Sequence, residues 1–199
     1  MQITEVQLRR VIREELKLVI RESARLSDDE IEELMLLQHS KEHLGQGPVP
    51  GLEHALRSLG SSSAQYLYRG TPRQVDANPG ETFTLPQYTS FSESKEVAEK
   101  FARIYGSGTV LILQPGARGF NYTGWLRKWW NNMRKTSSPE EWNDMDGDFY
   151  VSTLEGPEAE REWIFPMRSN FRVVEKVSKD GLTLCTVELL DGVGQKKNS

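Results

Sequence analysis

Three separated groups of residues have types and spacings suited to chemistry on a charged, phosphate-bearing substrate. The stretch Glu160-Arg161-Glu162-Trp163-Ile164-Phe165-Pro166 runs two carboxylates into β-branched and aromatic residues, a pattern that predicts a strand beginning at Glu160. On an extended strand the two acids share a face about 6.6 Å apart. Each then disfavours ionisation of the other. The bland reading is a solvated edge strand whose charges oppose aggregation, and what argues against it lies upstream. Gln65 to Pro72 is a strand rich in aromatics that ends on Arg69, Gly70 and Thr71. A strand-end arginine is often only a surface charge, but its planar fork of donors is the side chain best matched to a phosphate or pyrophosphate. The glycine after it lets a ligand approach the backbone closely. The third group, Thr89-Ser90-Phe91-Ser92, precedes a helix expected over Glu93 to Tyr105. Ser92 can cap that helix; Ser90, on the strand side, has no cap to serve.

The elements that must hold these groups belong to a chain of 199 residues, enough for one domain with a full core plus an appendage. A formal charge of -4 and a pI near 5.5 give no overall reason to bind nucleic acid or an anionic membrane. A lone cysteine, Cys185, excludes an internal disulfide and fits a reducing compartment. No apolar run approaches the roughly 18 residues of a membrane span, so a soluble protein is expected. Arg9, Arg10, Arg13, Glu14 and Glu15 interrupt any secretory signal.

Residues 1–25 place Leu8, Ile12, Leu16 and Ile20 on one helical face, an amphipathic arm. Ser27 to Glu30 is a capping box that starts a second helix carrying Ile31, Leu34, Met35, Leu37 and Leu44, expected to end near Gly45. His39 and His43 stand four apart on it, but without a His-Glu-x-x-His pattern or a third ligand they are read as solvent-facing. A short helix follows over Leu52 to Leu59. Between Gly116 and Gly156, Trp125, Trp129 and Met133 share a helical face, with Arg127, Lys128, Arg134 and Lys135 around it. An acidic partner or nucleic acid could bind such a helix; core packing is the favoured reading. Ser138-Pro139-Glu140-Glu141 marks another helix start. Asp144, Asp146 and Asp148 around Gly147 suggest a calcium loop. Aligning that glycine puts Trp142 and Thr153 at ligand positions, so calcium is rejected.

Taken together, Tyr68-Arg69-Gly70, Tyr88 to Ser92 with Ala98 and Phe101 on the next helix, and Glu160-Arg161-Glu162 resemble the arginine, serine-threonine-serine and Glu-x-Glu motifs of mono-ADP-ribosyltransferases. The resemblance runs from Leu67 to Leu190, since Phe171 to Val174 and Leu182 to Leu189 look like closing strands of that fold. It implies an α+β fold of two packed, mainly antiparallel sheets with an N-terminal helical region. Residues 26–192 would form the catalytic domain, 26–60 its helical part, 117–156 an insertion and acceptor loop, and 193–199 a tail. It implies NAD as substrate and no metal. Arg69 would hold the NAD diphosphate, and the Gly70 backbone the nicotinamide amide, with Thr71 also in the cofactor site. Ser90 would bind ribose and orient Glu162, the catalytic glutamate, while Ser92 supports the turn. Glu160 would engage the acceptor, an arginine of a host or target protein.

The residue types suit that chemistry. Loss of nicotinamide leaves an oxocarbenium-like ribose, which a fixed carboxylate stabilises. A cationic guanidinium acceptor calls for a second acid to orient it and take its proton. Two positions depart from the family pattern. Phe91 replaces the middle threonine, to stack on nicotinamide or fill core, core being favoured; Pro157 stands where toxin members carry an aromatic residue. The opening Met1 to Glu5 with Leu8 to Leu16 resembles a leader of marine bacteriophage proteins. A bacterial host cytoplasm, or packaging in a virion, is the expected location. Hydrolysis of NAD or of a glycoside by the same acids, and non-catalytic partner binding, are the competing readings.

Overall fold

The computed structural model describes residues 26–39, 47–104, 106, 108–144 and 161–190. The arm, Gly45, His43, Asp146, Asp148, Pro157, Glu160 and the tail lie outside them.

Helix α1 (Asp28–His39) starts as its capping box dictates: Glu30 N donates to Ser27 Oγ at 3.3 Å and Ser27 N donates to Glu30 Oε2 at 2.7 Å. Helix α2 (Pro50–Ser58) begins on a proline, whose missing N–H costs nothing there. The strands are β1 (Ser61–Ser62), β2 (Leu67–Thr71), β3 (Thr82–Leu85), β4 (Thr89–Ser92), β5 (Thr109–Leu113), β6 (Arg118–Asn121), β7 (Glu162–Phe165), β8 (Ser169–Lys179) and β9 (Leu182–Leu189). Helix α3 (Lys95–Arg103) lies between β4 and β5; α4 (Tyr122–Thr136) and α5 (Pro139–Asp144) follow β6.

Two packed, mainly antiparallel sheets were expected; the strands register as one sheet, in the order β1-β6-β7-β4-β2-β5-β9-β8-β3, antiparallel except for β5 with β9. The sheet curls on itself. Phe91 on β4 and Phe171 on β8 are separated by three strands along the sheet, yet their ring centroids are 5.9 Å apart. Its two halves therefore face each other across a core of Leu67, Phe91, Leu111, Leu113, Trp163, Phe165, Phe171, Val173 and Val187. Strand twist accumulated over nine strands makes that closure possible.

Helices cover the outer face in two places. Leu34, Leu37, Leu52, Leu56, Trp125, Leu126 and Trp130 from α1, α2 and α4 pack with Phe120 and Ile164. Tyr122 seals this layer by donating to the Leu34 carbonyl at 2.8 Å. The aromatic helix is thus core, with Trp130 more deeply buried than Trp129, and the segment after Gly116 supplies both a sheet strand and the longest described helix. On the other side α3 rests on β2, β5 and β9 through Ala98, Ala102, Val110 and Leu182. Its cap is Ser94, whose Oγ accepts from Val97 N at 3.3 Å. Ser92, expected in that role, sits two residues too early and accepts from Ser94 N at 3.0 Å.

Candidate active site

The site forms where the sheet gives up its ladder. Strand β4 pairs β7 from Thr89↔Phe165 to Ser92↔Glu162, and β2 pairs β5 along its whole length. Between β2 and β4 the register holds only at Tyr68↔Ser92. Beyond that point the two strands part, and the Arg69 guanidinium crosses the opening. Its Nη1 donates to the Ser90 carbonyl at 2.9 Å and reaches Ser90 Oγ at 3.5 Å. Burial pulls the Arg69 pKa down and the negative charge of Glu162 pushes it back up, which places these two side chains within electrostatic reach. A guanidinium starts so high that it stays charged.

Glu162 is the first residue of β7 and is only 5% exposed. Its backbone N–H donates to Thr123 Oγ1 at 2.8 Å, tying the strand end to the first turn of α4. That turn is set by Asn121, whose Oδ1 caps the helix by accepting from Gly124 N at 2.8 Å. The Tyr122 phenol is raised far above its usual pKa, first by burial and then by Glu162. The Glu162 charge is therefore felt both by Arg69 and by the Tyr122 phenol.

The expected residues divide into those the fold brings together and those it does not. Arg69, Ser90, Ser92 and Glu162 lie on the adjacent strands β2, β4 and β7 at the opening. Ser92 is the cross-strand partner of Glu162, while Ser90 lies opposite Ile164 and meets Arg69. Phe91 fills core, 1% exposed, with its ring edge-on to Phe165 at 5.4 Å. Gly70 has a packing reason for being glycine: a Cβ there would lie 1.9 Å from the Ala98 carbonyl oxygen of α3. Thr71 closes β2 opposite Thr109. The described part of the strand expected from Glu160 is Glu162–Phe165, preceded by Arg161 at a left-handed φ of 42°; Glu160 itself lies outside the described residues.

Sequence reasoning missed Thr123 and Glu93. Glu93 Oε1 accepts from Trp163 Nε1 at 3.0 Å, and Glu93 N donates to the Arg161 carbonyl at 3.2 Å. Asn121 was a legible helix cap; nothing local says which strand Thr123 meets.

No family model matches the chain, and no curated protein matches its sequence. Solved structures do. The ADP-ribosyltransferase Vis from Vibrio splendidus, in complex with the M6 inhibitor, superposes with a TM-score of 0.56 at 15% identity over 88% of this chain and 78% of that one. Vis in complex with agmatine gives 0.53 at 14% over 99% and 91%. The fold is that of the ADP-ribosyltransferases. Exoenzyme S from Pseudomonas aeruginosa, in complex with human 14-3-3 protein beta and bound to carba-NAD, superposes on the same ADP-ribosyltransferase framework at 0.51, with 18% identity over 89% and 80%. Among the described residues no group of three or more His, Cys, Asp or Glu could hold a metal ion, and no helix is long and apolar enough to cross a membrane.

Proposed function

We propose that the chain is a mono-ADP-ribosyltransferase that moves ADP-ribose from NAD to an arginine of a target protein. The observation that carries this reading is the register Tyr68↔Ser92↔Glu162, which sets Arg69 and Glu162 within electrostatic reach across β4, inside a fold shared with ADP-ribosyltransferases. Arg69 is a fixed cation for the NAD diphosphate, already oriented by the Ser90 carbonyl. Its position sets the ribose against Glu162.

The bond between ribose C1′ and the nicotinamide nitrogen breaks, and its electron pair leaves with nicotinamide, which becomes neutral. Glu162 stabilises the positive charge that develops on the ribose. Because its backbone is clipped to Thr123, no reorganisation is needed as that charge forms. Ser92, across the ladder, orients the carboxylate. A guanidinium nitrogen then forms the new bond to C1′ and passes its proton to Glu160. The arginine acceptor is supported by the residue pattern Glu160-x-Glu162 and by agmatine, a guanidinium compound, as a ligand of Vis.

The test is product analysis of the full chain incubated with NAD and agmatine. Nicotinamide together with ADP-ribosyl-agmatine is the expected outcome. Nicotinamide with free ADP-ribose alone would make the protein a hydrolase. No nicotinamide at all would leave a binding protein on a transferase fold.

A further inference from the structure

We propose that Tyr122 is a positioning residue through which helix α1 fixes the place of Glu162; the proposal rests on the transferase reading above, which makes that glutamate the catalytic one. The chain leaves β6 and enters α4 at Asn121, Tyr122 and Thr123, and each of these side chains grips a different element. Asn121 caps α4 itself at Gly124 N. Thr123 Oγ1 takes the Glu162 N–H of β7 at 2.8 Å. Tyr122, between them, donates to the Leu34 carbonyl of α1 at 2.8 Å.

Tyr122 and Thr123 are adjacent and both buried. A shift of the Tyr122 backbone therefore carries the Thr123 hydroxyl with it, and the end of β7 follows. Packing by itself does not call for a phenol here. A phenylalanine ring would fill the same space against Phe120 and Trp125, whose centroids lie 6.2 and 6.4 Å away. Leu34 lies inside α1, where its carbonyl has the helix's own amide ladder to accept from. What the hydroxyl adds is direction: it fixes where the first turn of α4 stands against α1. The Glu162 charge is felt at that phenol, so the anchor lies within electrostatic reach of the group it positions. Placement matters because a displacement of about 1 Å at a reacting group can cost on the order of 10²-fold in rate. The same link gives α1, otherwise a packing element, a part in setting the site.

The competing explanation is that the β6–β7 ladder at Asn121↔Trp163 places Thr123 unaided and Tyr122 only packs. Tyr122→Phe separates the two, since it keeps the ring, Thr123 and the ladder. The experiment makes two measurements on the full chain: amide hydrogen exchange by NMR, and steady-state nicotinamide release from NAD. In Tyr122→Phe the Glu162 amide should exchange about fivefold faster or more, the scale of one lost hydrogen bond, and by a larger factor than the Leu111 amide of β5. The kcat should fall by about the same factor or more while KM for NAD stays within about twofold. Thr123→Val should give the same pattern, and Thr123→Ser, which keeps the hydroxyl, should rescue it. A smaller acceleration at Glu162, or an equal one at Leu111, would overturn the proposal and leave Tyr122 a packing residue. Faster exchange at Glu162 with kcat retained would overturn it too, because catalysis would then not depend on this placement. A parent protein that releases no nicotinamide would defeat the transferase reading instead, and the exchange comparison would still decide whether α1 fixes Glu162 through Tyr122.

Discussion

The β8–β9 hairpin and the β2–β4 junction belong to one sheet and are built on opposite terms. The hairpin pairs from Phe171↔Leu189 to Lys179↔Leu182 with a single irregularity at Val173/Glu175. Asp180 and Gly181, at φ 51° and 75°, close it in the left-handed geometry that matches strand twist. Phe171, Val173, Cys185 and Val187 are all buried. At the junction the ladder survives at one position, and a half-buried arginine takes the place of backbone pairing. Backbone hydrogen bonds left unmade inside a protein are costly. The opening persists because Arg69 satisfies the Ser90 carbonyl and because each strand keeps its other neighbour, β5 for β2 and β7 for β4. The hairpin thus supplies stability, and the junction in the middle of the sheet relinquishes some of it for a place where a ligand can enter.

That contrast can be broken deliberately. The largest effect should come from Phe171→Ala, which empties the contact that holds the two halves of the sheet face to face. A stability loss of about 3–5 kcal/mol is expected, read from urea unfolding. If the variant unfolds within 1 kcal/mol of the parent by that measure, on a scale where ~1 kcal/mol is an ordinary substitution, the curl is not held by this core.

Glu162→Gln should do the reverse. Nicotinamide release should fall about 10²- to 10³-fold while the unfolding midpoint is retained, since shape is kept and a buried charge is removed. A parallel loss of stability and activity would mean that Glu162 belongs to the structural half of the comparison.

Gly70→Ala tests where the two halves touch. The added methyl would meet the backbone of Ala98 and Ala102, so α3 must shift, at about 1–3 kcal/mol. Because Arg69 is the preceding residue, NAD affinity by calorimetry should weaken as well. Unchanged affinity in a destabilised variant would show that α3 does not help set the arginine. The smallest effect is expected of Ser94→Ala, which removes the α3 cap and should cost about 1 kcal/mol. A change in acceptor KM without that loss, read by the agmatine assay, would assign the turn a role beyond capping.

Short-range signals in the sequence were sufficient for several features. The capping boxes at Ser27 and Ser138 form as their spacing requires, with Glu141 N donating to Ser138 Oγ at 3.2 Å in the second. The strand Leu182–Leu189 and the strand placement of Arg69 and the serine motif are equally local. Each depends on residues within a few positions of one another, so propensity and hydrogen-bond chemistry alone specify it. The tertiary structure decided what local pattern does not encode. Period-two alternation assumes an extended backbone throughout, and nothing in the residue types announces the left-handed φ of 42° at Arg161. Ser90 and Ser92 are indistinguishable by type, and only the β4–β7 register sets Ser92 against Glu162. That α3 packs directly on Gly70, a second reason for glycine there, is likewise not legible locally. Thr123 and Glu93 found partners far along the chain, because those hydrogen bonds exist only once β7 has paired with β6 and β4.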